Sequence, residues 1–110
     1  MGAWNMVISQ GATYQATITM AGVSDIATAT EWRLVMSMPN AAAFATATIA
    51  NGGFQPGTSS AQKILVLTAA DTANYPLGNG RYDFEILWTG GVVRRYISNG
   101  YLQVNPKVGT

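Results

Sequence analysis

Few residues in this chain are of types that could carry chemistry. Asp83 and Glu85 stand two apart in the run RYDFEI, so in an extended strand both carboxylates point to one face, as a metal pair or an acid–base pair requires. Nothing beside them completes such a site. The chain contains no histidine and no cysteine, which removes the usual base near neutral pH, the usual activator of a serine nucleophile and every thiolate ligand. A hard cation takes about six or more oxygen ligands, so the plain reading of the pair is a solvated strand face. Thr58, Ser59 and Ser60 have no basic neighbour to activate them. The glycines of LGNGRYD match neither phosphate-binding spacing and read as a turn. No catalytic residue, cofactor or metal ligand is expected, and the sequence reads as that of a non-enzyme.

What remains is the chemistry of contact. Trp32, Tyr82 and Trp88 fall on the apolar phase of their strands and read as core. Trp4, Tyr96 and Tyr101, together with the tandem Arg94 and Arg95, have the aromatic-plus-arginine composition of protein interfaces and form a candidate partner surface. Only 10% of the 110 residues are charged and the formal net charge is +1, against roughly 25% charged in an average soluble chain. Six scattered basic residues balanced by five carboxylates make no basic face for nucleic acid. The uncharged span 34–62 is broken by Asn51, Gly52, Gly53, Pro56 and Gly57, and does not read as a membrane helix. The N-terminus carries neither an export nor a lipidation signal.

The elements that position these residues are strands. Residues 12–20 and 30–38 alternate apolar and polar, with Tyr14, Ala16, Ile18 and Met20 on one face of the first, and Trp32, Leu34, Met36 and Met38 on one face of the second. Residues 41–50 are alanine-rich, yet Thr46, Thr48 and Ile49 are β-branched and Asn51-Gly52-Gly53 follows as a hairpin-type turn, so this too reads as a strand. Residues 52–60 read as a loop and 62–67 as a strand. Thr68 lies three residues before Asp71, the spacing of a helix-start cap, and Pro76 and Gly78 then limit the helix to a short turn over 69–75. Residues 81–89 alternate again with Tyr82, Phe84, Ile86 and Trp88 inward, Gly90-Gly91 turns the chain, and residues 92–97 and 101–104 complete the sheet. Arg94 and Arg95 must face opposite ways in a regular strand, so one of them meets the apolar side unless a bulge intervenes.

About seven short strands at regular spacing, with almost no helix, imply one all-β domain over 1–110, an immunoglobulin-like antiparallel β-sandwich. Gly80-Arg81-Tyr82 is placed like a tyrosine corner, where a phenol bonds back to the preceding link. Thr68, Asp71, Pro76, Gly80 and Tyr82 are thus expected to form a structural corner.

The run LTAADTANYPLGNGRYDFEILWTGGVVRRYISNGYLQVNPKV, with QGATYQATITMAG before it, resembles a pattern of small tailed-phage virion proteins: a strand, a Thr-x-x-Asp-Thr start, a Pro-x-Gly corner leading to Tyr-x-Phe, and a closing Val-x-Pro-x-Val. The likeness spans roughly residues 8–110, with Ala12 where an acidic residue is frequent and Asn79-Gly80 inserted at the corner. Such domains are best known as the N-terminal part of upper baseplate proteins. The resemblance implies a non-enzymatic virion component that assembles symmetrically, as a homo-oligomer or with other virion proteins, for tail, baseplate or fibre attachment. The short length, with no extension to carry a fibre, raises a second expectation: a capsid decoration protein clamping the head shell. A carbohydrate-binding surface module using exposed aromatics is the third.

Overall fold

The computed structural model describes residues 3–107; the last residues of the closing Val-x-Pro-x-Val likeness lie outside them. Alternation becomes two facing sheets. Strands β1 (Met6–Ser9), β3 (Glu31–Ser37), β4 (Ala43–Thr48), β7 (Gly78–Trp88) and β8 (Val92–Asn105) form a five-stranded sheet in the order β1-β8-β7-β3-β4. Strands β2 (Tyr14–Thr19), β5 (Phe54–Pro56) and β6 (Gln62–Leu67) form a three-stranded sheet in the order β2-β6-β5. This is an immunoglobulin-like sandwich in which β3, β7 and β8 form the middle of the larger sheet, flanked by β4 on one edge and, on the other, by the opening strand, which lies beside β8 and not beside β2. The helix α1 (Ala69–Thr72) and a single 3-10 turn at Ile26–Thr28 are the only helical segments among the described residues.

The core lies between the sheets because each strand turns one apolar row inward. Trp32, Leu34 and Met36 of β3, Tyr82, Phe84 and Ile86 of β7, and Leu65 and Leu67 of β6 are buried. Trp32, Phe54 and Phe84 form an aromatic cluster, with ring centroids 5.7 to 5.9 Å apart. Each such pair adds about 0.5–1.5 kcal/mol beyond the area it buries.

The structure differs from the sequence-based expectation in four places. The described residues form eight strands: residues 54–56 are a short strand where the sequence reads as a loop, and 92–105 form one long strand. The pairing is not wholly antiparallel, since β1 runs parallel to β8 with Met6 opposite Leu102. Arg94 and Arg95 do face opposite ways, Arg95 beside Glu85 and Arg94 beside buried Ile86, and Arg94 escapes the apolar side at the rim, where it bonds to Asp25 over the Trp88 ring. The bulge comes after them, leaving Tyr96 as the extra residue between Arg95 and Ile97. Finally, Tyr82 does not close a tyrosine corner. Its phenol leaves the preceding link alone and reaches across the sheet to residue 4.

That reach fixes the start of the chain. The Tyr82 hydroxyl accepts from the Trp4 backbone N–H at 3.0 Å and donates to the Trp4 carbonyl, while the two rings pack with centroids 5.2 Å apart. The path lies over Gly100, the partner of Tyr82 in β8. A Cβ on Gly100 would stand 2.4 Å from the Tyr82 ring, so only glycine leaves the phenol room to pass. Tyr82→Phe is expected to lower stability by about 1–3 kcal/mol, the cost of two unmet backbone groups. Gly100→Ala is expected to cost at least about 2 kcal/mol through overpacking. Denaturant midpoints at unchanged slope measure both; a neutral Gly100→Ala would refute the crossing.

Candidate contact surface

The outward row of each strand in the five-stranded sheet builds one broad face. Register places Arg33, Glu85 and Arg95 side by side across β3, β7 and β8, and Leu87 beside Val93 one row away. Arg81 stands beside Tyr101, and Val7 beside Gln103. Val7 (49%), Val93 (47%) and Tyr101 (36%) are exposed, while Val35 and Leu87 are half-buried. The face is therefore an apolar field around a short ionic row.

Glu85 anchors that row. It is only 5% exposed although it points outward, because arginines cover it from both sides. Arg33 Nε donates to Glu85 Oε1 at 2.7 Å, and Arg95 Nη2 approaches Oε2 at 3.5 Å. Asp83, the other member of the pair singled out from sequence, is committed elsewhere: its Oδ1 accepts from the Asn99 N–H at 2.9 Å. That bond holds Asn99 at a φ of 57°, where β8 bends. The two carboxylates are thus separate structural acceptors. Among the described residues no three His, Cys, Asp or Glu side chains gather as metal ligands.

The expected partner residues fall in three places. Arg95 and Tyr101 lie on the outer face, the Tyr101 hydroxyl 3.1 Å from Asn79 Oδ1. Arg94 lies on the rim, where it forms two 3.0 Å bonds to Asp25 and covers the Trp88 ring at 4.4 Å. Tyr96 is half-buried, its ring 6.3 Å from Phe84. Trp4 is docked on Tyr82, and its indole N–H donates to the Tyr14 hydroxyl at 3.1 Å. Sequence reasoning missed Val7, Leu87 and Val93. Each stands in the outward phase of its strand, but which strands lie side by side, and so which outward residues share a face, is set by pairing between residues far apart in the sequence.

The corner is built from other residues than the sequence implies. Thr68 caps α1, accepting from the Asp71 N–H at 3.2 Å as its spacing implied. Pro76 follows the helix. Gly80 and Tyr82, however, lie inside β7, and Gly80 is needed where β7 passes the end of β3: a Cβ there would stand 2.5 Å from the Ser37 carbonyl. What fastens the corner is Thr72, fully buried, whose hydroxyl donates to the Ala12 carbonyl at 2.8 Å, and Gln10, whose amide donates to the Tyr75 carbonyl at 2.7 Å.

Between this corner and β4 runs a groove made of two adjoining hollows of about 300 and 340 Å³, which share Thr46, Asn51, Asp71 and Tyr75. The Phe44 and Tyr75 rings meet edge-on at 5.1 Å beneath it. Burial, aided by the Asp71 carboxylate, pushes the Tyr75 phenol up to about 12.

No protein-family model matches the chain and no curated protein matches it.

Two outcomes follow from these contacts. Glu85→Ala strands two arginines over a covered spot and is expected to cost about 1–3 kcal/mol in chemical denaturation; a loss below about 0.5 kcal/mol would mean that solvent already screens the row. Folded Tyr75 keeps its proton where an unfolded tyrosine, at 10.0, loses it. Stability from this group is therefore whole below pH 10 and drains away as pH rises to about 12. Thermal melts across that range are expected to fall less steeply for Tyr75→Phe than for the unaltered chain, and equal slopes would contradict the assignment.

Proposed function

We propose that this chain is a non-enzymatic structural protein of a tailed-bacteriophage virion, a small sandwich module for tail, baseplate or fibre attachment that works through surface burial. The observation that carries the reading is the outer face of the larger sheet. Exposed Val7, Val93 and Tyr101 surround a row of arginines fixed by Glu85, a composition matching the aliphatic, aromatic and arginine mix of contact surfaces. The corner sequence supports the same reading by its resemblance to virion domains. Its partners would be other virion proteins, met in a symmetric arrangement.

Electron cryo-microscopy of particles from cells producing the chain tests this. The expected result is density for the sandwich at the tail tip or fibre junction. Loss of that density for the double variant Val93→Glu, Tyr101→Ala is also expected, provided the purified variant melts like the unaltered chain. Density over the head shell, in copy number tracking the capsid subunits, would replace the tail role with capsid decoration. Particles without the chain would reject both.

A second reading, a carbohydrate-binding module, draws on the groove. Asp71 accepts no hydrogen bond through its carboxylate from any described residue, and it sits beside Asn74 and the Tyr75 ring. A polar cleft with an aromatic wall suits a saccharide. A glycan array without binding would remove it.

A further inference from the structure

We infer that β2 is an assembly edge, at which two copies of this chain pair antiparallel about a two-fold axis through Thr17. Backbone groups of β2 point two ways. Val66 N–H donates to the Gly53 carbonyl, and the Gln62 carbonyl accepts from Gly57 N–H, so even-numbered residues of β6 face β5. Pro56, which has no N–H to give, lies opposite odd-numbered Lys63. Odd-numbered residues of β6 therefore face β2, where Leu67, Leu65 and Lys63 pair with Tyr14, Ala16 and Ile18. In an antiparallel ladder the intervening residues turn their N–H and C=O groups the other way. Those residues are Gln15, Thr17 and Thr19, and β2 has no second neighbour among the described residues. None of their backbone groups has another hydrogen-bond partner there.

The other edges are blunted. On β4, Asn51 occupies two of the outward groups: its Oδ1 accepts from Thr48 N–H at 2.9 Å and its Nδ2 donates to the Thr46 carbonyl at 2.7 Å. β5 is three residues long and ends in Pro56. β1 is four residues long. Short strands, proline and side-chain caps are the usual protections of a sheet edge, and so is charge. β2 carries none of them: the first charged side chain in the sequence is Asp25, and the strand has no proline.

A second copy is the occupant that fits. Centred on Thr17, an antiparallel pairing sets Thr17 opposite the partner's Thr17 and Gln15 opposite the partner's Thr19. The strand is thus complementary to itself, as a two-fold interface requires. Three such pairs exchange about six N–H···O=C bonds by the antiparallel pattern. Threonines directly opposite each other are a favourable cross-strand pair, and no like charges meet. Gln15, Thr17 and Thr19 share the outward face with half-buried Ile64 and Val66, so the joined sheets stay uncharged across the seam.

The inference does not rest on the particle role and is tested on the purified chain, so its failure leaves the location to microscopy. Sedimentation velocity from micromolar to near-millimolar concentration is expected to show a monomer–dimer equilibrium. Thr17→Pro removes an outward N–H without touching the β6 ladder, and Thr17→Lys sets two like charges opposite each other. Both variants are expected to remain monomeric where the unaltered chain dimerises, with melting within a few degrees of it. Salt is expected to restore part of the dimer for Thr17→Lys by screening and none for Thr17→Pro. Should Thr17→Pro fail to fold, Thr17→Lys and its salt response decide alone. A chain that stays monomeric throughout, or a dimer equally strong in a folded variant, overturns the proposal.

Discussion

One hydroxyl decides how the first strand is used. The Tyr82 phenol, lying over Gly100, both accepts from and donates to the backbone of Trp4. Its two bonds are each worth about 0.5–1.5 kcal/mol net, a modest sum, but they act where the chain has a choice. In the seven-stranded immunoglobulin arrangement the opening strand lies beside the second strand, in the opposite sheet. Held at Trp4, the chain runs directly into β1 beside β8. The larger sheet then has five strands, the smaller has three, and the outer side of β2 is left open. Gln10 and Thr72 secure the other end of the same stretch by tying it to the α1 corner.

Charge is scarce in this molecule, and most of it is committed to holding turns and bends. Asp25 fastens the 3-10 turn to the rim through Arg94, and the Trp88 indole N–H donates to its carbonyl at 3.0 Å. Glu31 receives the N–H groups of Ile49 and Ala50 at the end of β4. Asp83 holds the β8 bend and Glu85 the two arginines of the outer face. Around these committed groups the surface presents aliphatic side chain, hydroxyl and, along β2, free backbone.

Local pattern carried much of the fold. Period-two alternation marks β2, β3 and β7, a continuous apolar run marks β6, and the Thr68–Asp71 spacing marks the start of α1, because those signals are written in neighbouring residues. The parallel β1–β8 pair, the Tyr82–Trp4 bond and the Asp25–Arg94 pair join residues 69 or more positions apart, and no local pattern announces them. The candidate surface suffered more. Residue type alone puts the aromatics and arginines together, yet half-buried Trp4 and Tyr96 pack on Tyr82 and Phe84, and a rim ion pair holds Arg94. The exposed valines that share the face with Tyr101 were legible only once β1 and β8 were known to be neighbours.

The Tyr82 bond thus commits the leading strand to the larger sheet and leaves the β2 edge unpaired. Residue-resolved hydrogen exchange in dilute solution is the decisive measurement. The Trp4 amide is expected to be protected as strongly as the amides within β7, while the Gln15, Thr17 and Thr19 amides exchange at nearly the rate of an open chain. Rapid exchange at Trp4, or strong protection along the outer side of β2 in the monomer, would contradict it.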